Sequence, residues 1–412
     1  MSGPLAGVRV VDLTAVLLGP TATQILGDMG ADVIKIEAPG GDATRGAGAA
    51  RNPGMGSLFM HINRNKRSLV LDLKQPAGLQ ALMKLLQTAD VLFHNMRPQA
   101  MARLGLAYAD VAKLNPGIVY CGAFGYGQGG RYAARPAYDD LIQSAVALPH
   151  LFERSTGHMH YTPINLIDRL IAMKAVYCVT SALFHRERTG EGQEVELSMF
   201  ETMAEMVLGE HLAGESFDPP LGPAGYGRSL SPSRKPYKTS DGHVAAMIYT
   251  NRQWQRFCEM AGKPELVSDP RFEDNGARGR NMDQLGEIVA GVLITRTTAE
   301  WVETLQAIDL PVMAVNTLES LIDDPHLADV GFFQWVDHPT QGRIRSMRGG
   351  STWSRTPAQF TRQAPLCGQD SVDVLTELGY SPEQIEDLMA SGAAGQVSPH
   401  PAPDTSEKPP LR

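Results

Sequence analysis

The sequence predicts an α/β fold with a parallel sheet, followed by a smaller domain of a different type. In the first 200 residues or so, short apolar runs alternate with segments of helical periodicity. This alternation is typical of βαβ units, whose strands lie parallel in one sheet with helices on its faces. A stretch rich in proline and glycine then interrupts the pattern at 216–235. We therefore expect a large Rossmann-like domain and, beyond this stretch, a smaller α+β domain.

The elements of the large domain follow one another in a regular order. Short apolar runs predict strands at 8–13, 32–37, 68–73, 91–94, 118–121 and 194–198. Apolar residues at helical spacing predict helices at 22–29, 78–87, 101–104, 170–186 and 200–214. Ligands on sheets of this type bind beyond the carboxyl ends of the strands, so we expect the site at that edge.

The second half of the chain shows a hairpin pattern and then helices. Residues 237–248 predict a hairpin that turns at Asp241 and Gly242, and residues 252–327 are mainly helical in pattern. A strand at 344–353 and helices at 370–378 and 382–391 are expected to return to the large domain. The predicted parts are therefore the large domain at 1–215, a linker at 216–235, the small domain at 236–330, a linker at 331–345, the return at 346–395 and a disordered, proline-rich tail at 396–412.

Composition and charge exclude several classes of protein. The chain has 412 residues, 43% of them hydrophobic and 20% charged, as in ordinary globular proteins. A net charge of −8 argues against general nucleic-acid binding. Four scattered cysteines suggest neither a zinc site nor a disulfide framework. No signal pattern opens the chain and no apolar run approaches a membrane span, so we expect a cytoplasmic protein that does not bind membranes.

The charge is unevenly distributed along the chain. Between residues 45 and 103 there are nine Lys and Arg against two Asp, a local balance of +7. Such an island in an acidic protein fits a small polyanionic ligand. It fits equally well a solvated face that pairs with acidic helices elsewhere, and the sequence leaves both open.

One acidic residue, Asp168, ends an otherwise uncharged stretch at 161–168. Among apolar neighbours, a carboxylate aimed at an activated carbonyl group can act as a nucleophile. Asp is also a preferred residue at the start of helices, so Asp168 alone predicts a helix cap at least as well. The residues around it decide between the two interpretations.

The chain resembles the family III coenzyme A transferases, which include formyl-CoA transferase and carnitine CoA-transferase. The resemblance runs from Pro4 to about Gly392. The segments that carry it are LAGVRVVDL at 5–13, GP at 19–20, LGDMGADVIKIE at 26–37, NRNKRSL at 63–69, LDLK at 71–74, HNMRP at 94–98, RLGL at 103–106, PAYD at 136–139, TGEGQ at 189–193, YKTSDG at 237–242, DPRF at 269–272 and ELGY at 377–380.

The resemblance implies the reaction and its nucleophile. Asp168 falls at the family's nucleophilic aspartate, eighteen residues before Arg186. The implied function is transfer of CoA from an acyl-CoA donor to a free carboxylic acid, through an aspartyl anhydride and an aspartyl-CoA thioester. CoA is then a substrate, and no permanently bound cofactor is expected. Ala172 stands where the family usually has glycine, which leaves the carboxylate in place.

The resemblance also implies a set of coenzyme contacts. They are Val16, Leu71, Lys74, Asn95, Met96, Arg97, Arg103 and Tyr138. Lys and Arg suit the phosphates, and Asn or backbone groups suit the adenine.

Three departures separate the chain from formyl-CoA transferases. Leu17 and Ala38 replace polar and basic residues, and Pro136 replaces a coenzyme-contacting lysine. No glycine-rich substrate loop is apparent at 226–240. We therefore do not expect oxalate or formate as a substrate. Succinyl-CoA or another dicarboxylate thioester is the donor that family habit suggests.

A glycine-rich cluster at 125–130 is a candidate for the oxyanion site. Its backbone N–H groups could stabilise the negative charge on the attacked carbonyl oxygen, and its mobility could close the site. Bulky replacements of Gly127 or Gly129 would then lower turnover more than coenzyme affinity.

Two alternatives remain open. Acyl-CoA racemases share this fold, but they need a His and Asp pair, and the stretch at 135–143 has no histidine. A non-catalytic CoA-binding protein is the second alternative. A transferase alone should give an Asp168 adduct that hydroxylamine traps. Family members also form intertwined homodimers, which the linkers at 216–235 and 331–345 would permit.

Overall fold

The computed structural model describes residues 3–396 of the chain. The strands in this range are β1 (Arg9–Leu13), β2 (Asp32–Glu37), β3 (Lys66–Leu71), β4 (Val91–His94), β5 (Val119–Phe124), β6 (Gln193–Ser198), β7 (Tyr237–Lys238), β8 (His243–Ala246), β9 (Val312–Ala314), β10 (Phe333–His338), β11 (Gly342–Met347) and β12 (Ala394–Gly395).

The α-helices within the same range vary from one turn to nearly seven turns. They are α1 (Leu18–Asp28), α2 (Ser57–Ile62), α3 (Pro76–Leu86), α4 (Pro98–Arg103), α5 (Tyr108–Leu114), α6 (Asp139–Ala145), α7 (Leu148–Thr156), α8 (Leu166–Thr189), α9 (Met199–His211), α10 (Gly227–Leu230), α11 (Asn251–Met260), α12 (Asn275–Arg280), α13 (Met282–Leu293), α14 (Thr298–Ala307), α15 (Leu318–Ile322), α16 (Pro325–Asp329), α17 (Ser371–Glu377) and α18 (Pro382–Ala390).

The large sheet confirms the predicted α/β class. Its strand order is β12-β3-β2-β1-β4-β5-β6, and every neighbouring pair is parallel except β12 with β3. Without β12 this is the order of the doubly wound Rossmann sheet. The order reverses between β1 and β4, which leaves a crevice at the carboxyl ends of these two strands.

The core explains why these segments fold as they do. Strands β1, β2 and β4 are almost wholly buried, as the inner strands of a helix-covered parallel sheet must be, whereas the edge strand β6 alternates between less and more exposed residues. Helix α3 starts at a proline and turns its Ala81, Leu82, Leu85 and Leu86 into a core that includes residues of α17 and α18. Helix α8 packs against α1.

Several segments differ from the sequence-based expectations. The strand expected at 344–353 is β11, which begins at Gly342 and already ends at Met347. The helix expected at 101–104 is a pair of helices, α4 and α5, which are joined through Gly105 at positive φ. The segment at 331–345, expected as a linker, contains β10 and the start of β11, which form an antiparallel hairpin. Its Gly342, at φ +63°, serves the turn between these strands rather than an irregular connection.

The chain divides into two compact units. Within the described residues, the first contains 3–145, 162–204 and 328–396, and the second contains 146–161 and 205–327. The second unit has a three-stranded antiparallel sheet, β7-β8-β9, and a core around Trp254, Phe257, Phe272 and Trp301. The hairpin of β7 and β8 confirms the expected turn at Asp241 and Gly242.

The predicted domain limits stay a prediction, and all but the first residue of the predicted tail at 396–412 lies outside the described residues. Among the residues that the structure describes, no helix has the length and apolar character that a membrane span needs.

Candidate active site

A cleft opens at the crevice between β1 and β4. Its volume is about 410 Å³. It is lined by residues that follow β1, β4 and β5, by the loop before α6, and by the first turn of α8. The lining residues are Ala15, Val16, Leu17, Leu18, Asn95, Met96, Arg97, Pro98, Ala123, Phe124, Gly125, Gln128, Ala133, Arg135, Pro136, Ala137, Tyr138, Asp168 and Met199. Six of the nine site residues expected from the sequence therefore meet in one cleft.

Asp168 lies in the first turn of α8 and is not its N-terminal cap. The residue at the cap position is Asn165, whose side chain makes no capping hydrogen bond. The Asp168 backbone N–H donates instead to Oδ2 of Asp139, at 2.9 Å. A carboxylate from another helix thus satisfies this N–H group, and the Asp168 side chain has no capping task of its own.

Two effects raise the pKa of the Asp168 carboxyl to about 7. Burial disfavours its charged form, and the nearby Asp139 carboxylate repels a second negative charge. The adjacent Arg169 opposes both effects but is outweighed. A poorly solvated carboxylate of raised pKa is more basic than an ordinary aspartate, and this suits a nucleophile that attacks a thioester.

Asp139 is the site residue that the sequence did not single out. It is buried, and each of its two carboxylate oxygens accepts a hydrogen bond from a neighbour. Oδ2 accepts the Asp168 N–H, and Oδ1 accepts the Gln143 side-chain amide at 2.6 Å. The other end of the Gln143 amide accepts the Thr162 N–H. The PAYD motif at 136–139 contains Asp139, but the motif marks the family resemblance and does not by itself indicate a contact with Asp168.

The turn after β1 has an unusual backbone conformation. Val16 has φ +72°, which is a true outlier for a β-branched residue. The Asn95 side chain forms hydrogen bonds with both backbone polar groups of Ala15, the residue before Val16. Its Oδ1 accepts the Ala15 N–H at 3.1 Å, and its Nδ2 donates to the Ala15 carbonyl at 2.8 Å.

A buried cluster of charges lies behind this turn. Lys35 donates to the Thr14 carbonyl and pairs with Asp42, both at 2.9 Å. Lys66 pairs with Asp12 at 3.0 Å, and all four charged side chains are buried.

The pKa values show that this cluster is charged near neutral pH. Burial would raise the pKa of Asp12, but Lys66 and Lys35 outweigh burial and lower it to about 2. Burial lowers the pKa of Lys66 to about 8, with Asp12 acting in the opposite direction. Burial would also lower the pKa of Lys35, but three carboxylates, that of Asp12 foremost, leave it raised. The turn at Val16 is therefore held, through the Lys35 contact with Thr14, by a buried cluster of paired charges.

The glycine-rich cluster at 125–130 is tied down by two glutamates. The Gly127 N–H donates to both oxygens of Glu201, and the Gln128 N–H donates to Glu196 at 2.7 Å. These two N–H groups are therefore not free to stabilise an oxyanion in this conformation, contrary to the simplest form of that expectation. Gly125 is needed for packing, since a side chain there would collide with Ala137.

Seven of the nine Lys and Arg residues in the basic stretch at 45–103 fall into two groups in the structure. Four of them pair with carboxylates: Arg45 with Glu37, Arg64 with Asp28, Lys66 with Asp12, and Arg67 with Asp32. Within residues 3–396, the three cations expected to contact the coenzyme (Lys74, Arg97 and Arg103) make no ion pair, and all are exposed. Cations without a carboxylate partner are available to bind phosphates.

Three expected coenzyme contacts do not line the cleft. Leu71 is a buried core residue at the end of β3, Lys74 lies in the loop that follows, and Arg103 ends α4. Tyr138 does line the cleft and is 65% exposed. The cleft is thus lined by Asp168 and five of the eight expected coenzyme contacts, while Leu71, Lys74 and Arg103 lie outside it.

No histidine lines the cleft among the described residues. His94, at the end of β4, is buried between the rings of Tyr120 and Phe124, and burial lowers its pKa to about 4. His150, His158 and His160 belong to the second unit. The described part of the chain also contains no cluster of His, Cys, Asp and Glu able to hold a metal ion.

The chain is similar to known proteins over almost its whole length. The profile described as CoA-transferase family III matches residues 5–371. The chain is 31% identical to succinyl-CoA:glutarate CoA-transferase of Mus musculus, over 95% of this chain and 91% of that one. It is 29% identical to formyl-CoA:oxalate CoA-transferase of Afipia carboxidovorans, over 96% and 99% of the two chains. The crystal structure of Rv3272 from Mycobacterium tuberculosis matches with a TM-score of 0.78 at 29% identity, over 90% and 98%.

Proposed function

Because this chain belongs to CoA-transferase family III, and is thus a CoA-transferase, we propose that Asp168 carries the transferred groups covalently. The observation that carries the proposal is the raised pKa of a half-buried Asp168 that lines the cleft at the carboxyl ends of β1, β4 and β5. The donor is an acyl-CoA and the acceptor is a free carboxylic acid.

The first half of the reaction loads CoA onto the enzyme. An Asp168 carboxylate oxygen attacks the thioester carbonyl carbon, the C–S bond breaks, and CoA leaves as the thiolate. The product is a mixed anhydride between Asp168 and the donor acyl group. The thiolate then attacks the Asp168 carbonyl carbon of that anhydride, which releases the donor acid and leaves an aspartyl-CoA thioester.

The second half repeats these steps in reverse. The acceptor carboxylate attacks the aspartyl thioester and expels the thiolate, which gives a new anhydride. The thiolate attacks the acceptor carbonyl carbon, forms the new acyl-CoA and frees Asp168. No proton is consumed overall, so the site needs no general acid. Water must stay out, since either intermediate would otherwise hydrolyse.

The chain's own residues provide the coenzyme site in this proposal. Arg97, Lys74 and Arg103 bind the phosphates, while Val16, Met96 and Tyr138 contact the remainder of the coenzyme. Their exposure and lack of carboxylate partners among the described residues support this assignment for the cations. Every exchanged group is a carboxylate or a thiol, so the proposed reaction requires no permanently bound cofactor.

For the substrates we propose dicarboxylic acids and their thioesters. Relatives named succinyl-CoA:glutarate and succinyl-CoA:mesaconate CoA-transferase support this choice. Leu17, Ala38 and Pro136 differ from the formyl-CoA enzymes at positions where the resemblance implies coenzyme contacts. We also propose a cytoplasmic, intertwined homodimer, as the resemblance implies.

The test is to replace the nucleophile and to trap the intermediate. Succinyl-CoA is incubated with glutarate, mesaconate or oxalate, and product thioesters are measured by liquid chromatography and mass spectrometry. Asp168→Asn should lower turnover by at least about 10³-fold, as expected for loss of a covalent nucleophile. The matched control is Asp140→Asn, which removes an exposed acid from the first turn of α6 and should keep most of the activity.

Trapping distinguishes the remaining alternatives. Wild-type protein with acyl-CoA and hydroxylamine should carry a hydroxamate on the peptide that contains Asp168. Racemisation of a 2-methylacyl-CoA without such an adduct would favour the racemase alternative. CoA binding with neither adduct nor exchange would favour a non-catalytic CoA-binding protein.

A further inference from the structure

The turn that holds Val16 is fixed from several directions. All four backbone polar groups of Thr14 and Ala15 have partners supplied by side chains. The Thr14 N–H donates to Asp12 at 3.0 Å, and its carbonyl accepts the buried Lys35 ammonium. The Ala15 N–H and carbonyl both bind Asn95. These side chains come from β1, from β2 and from the loop after β4.

The strain at Val16 explains why so many partners are present. A β-branched residue at φ +72° costs free energy, and such conformations persist only where the surroundings over-determine them. The turn also packs closely on α1, because a side chain at Gly19 would collide with Thr14. Strain of this kind concentrates at functional sites, and Ala15, Val16, Leu17 and Leu18 all line the Asp168 cleft.

Asn95 is placed differently from the other partners. Asp12 and Lys35 belong to β1 and its neighbour β2, on one side of the crevice. Asn95 follows β4 on the other side, so its two hydrogen bonds to Ala15 cross the point where the strand order reverses. The amide oxygen and one amide N–H are thereby used within the protein, whereas the resemblance implied that Asn95 contacts the coenzyme.

We propose that Asn95 is a positioning residue, which spans the crevice and holds the strained turn at Val16 in the shape that the coenzyme and the Asp168 cleft require. Asn95 acts through Ala15 and Val16 and not by recognising the adenine. The kinetic part of this inference rests on the proposed function, whereas the conformational part does not.

The experiment compares Asn95→Ala with a glycine rescue. Two lost hydrogen bonds should weaken CoA binding, measured by calorimetry with CoA itself, and kcat/KM by roughly tenfold to thirtyfold. Glycine adopts positive φ without strain. In the double variant Asn95→Ala with Val16→Gly, both quantities should therefore return to within about threefold of those for Val16→Gly alone.

The matched control is Asn115→Ala. Asn115 also ties two backbone groups, the carbonyls of Leu86 and Ala89, but it lies away from the cleft. This variant should lower the unfolding temperature about as much as Asn95→Ala does, yet it should leave kcat/KM and CoA affinity unchanged. A purely structural role for Asn95 would make the two variants behave alike.

Hydrogen–deuterium exchange of the segment 13–19 decides the conformational part without any turnover. Asn95→Ala should speed exchange in this segment about tenfold, and Asn115→Ala should not. Unchanged exchange and unchanged CoA affinity in Asn95→Ala would overturn the proposal, and so would losses that simply multiply in the double variant. If the wild-type protein exchanges no acid at all, the proposed function fails, while exchange at 13–19 still decides the role of Asn95.

Discussion

At Asp168, two effects raise the pKa of the side-chain carboxyl. Burial and the Asp139 carboxylate both disfavour its ionised form, yet Asp139 also fixes the Asp168 backbone by accepting its N–H. The same residue therefore positions the proposed nucleophile and makes it more basic. A protein gains stability by relieving such repulsion, so its presence at a cleft indicates that function maintains it.

The pH dependence of the reaction follows from this pKa. Burial and the nearby Asp139 raise the Asp168 pKa to about 7, and in the proposed mechanism only the ionised carboxylate attacks, so kcat/KM should fall about tenfold for each pH unit below 7. Asp139→Asn removes one of the two causes and should move this midpoint to lower pH. The measurement is kcat/KM from pH 5 to 9 for both proteins. A wild-type profile that stays flat down to pH 5 would contradict the assignment.

The stability of the fold should change with pH in the opposite direction to activity, falling as the pH rises. The folded state raises the Asp168 pKa, so ionised Asp168 destabilises the fold. This cost is absent below pH 4, grows as the pH rises, and is complete above pH 7. After allowance for partial exposure, Asp168→Asn should stabilise the protein by about 1–2 kcal/mol at pH 8 and by nothing at pH 4. Chemical denaturation at the two pH values measures the difference.

The two acidic residues also differ in how far the sequence could identify them. Asp168 stands out as a lone carboxylate in a family motif, so its importance could be predicted. Asp139 lies 29 residues earlier, next to another Asp, and nothing local separates the two. Only the fold places the Asp139 carboxylate at the first turn of α8, and such a long-range contact leaves no periodic trace in the sequence.

Among the elements, helix α8 runs from the site at the carboxyl ends of the strands to the amino ends of β4 and β5. Asp168 lies at the carboxyl ends of the strands, and Arg186 lies eighteen residues later, about 27 Å along the helix. There Arg186 pairs with Asp90 at 2.9 Å, just before β4, and points its guanidinium at the Gly117 carbonyl, just before β5. The eighteen-residue spacing of Asp168 and Arg186 thus matches the height of the sheet that the helix crosses.

Arg186 should accordingly matter for stability and not for chemistry. Arg186→Met removes a half-buried ion pair and leaves the Asp90 carboxylate without this cationic partner. The change should lower the free energy of unfolding by about 1–3 kcal/mol. The kcat of the folded protein should stay within about twofold, because Arg186 is far from the cleft. Arg188→Met, an exposed position on the same helix, is the control and should change stability by less than about 0.5 kcal/mol. A large loss of kcat with normal stability would show that this view of Arg186 is wrong.

The hairpin of β10 and β11 could not be predicted from the local sequence. The segment 333–338 alternates only in part, and Gly331, Pro339 and Gly342 flank the strands closely. Such residues indicate a loop when they are considered alone. In the structure they mark the ends and the turn of two short strands that pair with each other, a tertiary fact that local composition does not contain. The central strands of the parallel sheet, such as β1 and β4, were by contrast predictable, because burial on both faces favours short apolar runs.

For the whole molecule, the surface of α8 supports the proposed homodimer. One side of this helix is buried, yet the opposite side carries Met173, Tyr177 and Phe184, which are 53%, 54% and 63% exposed. Several large apolar side chains exposed together on one side of a helix are typical of an interaction surface. A second copy of the chain is the occupant that the proposed intertwined dimer would supply.

A charge placed on this side should separate the copies. Phe184→Glu would bury an unpaired carboxylate in the proposed interface and should convert a dimer to a monomer, or weaken it at least about 100-fold. Phe184→Leu keeps the surface apolar and should remain dimeric. Light scattering after size-exclusion chromatography, over a range of concentrations, measures the mass. A Phe184→Glu protein that keeps the wild-type mass would exclude this face from the interface.

The contact between Asn95 and Ala15 has a further consequence, which concerns the order in which the molecule assembles. It joins residues 80 apart in sequence, across two strands that are neighbours in space but not along the chain. Closing so long a loop has a high entropic cost, and contacts of this kind form late in folding. A growing chain can therefore complete β1, α1 and β2 well before the crevice exists. Helical content should return first on refolding, and the ability to bind coenzyme should return only once β4 has docked beside β1.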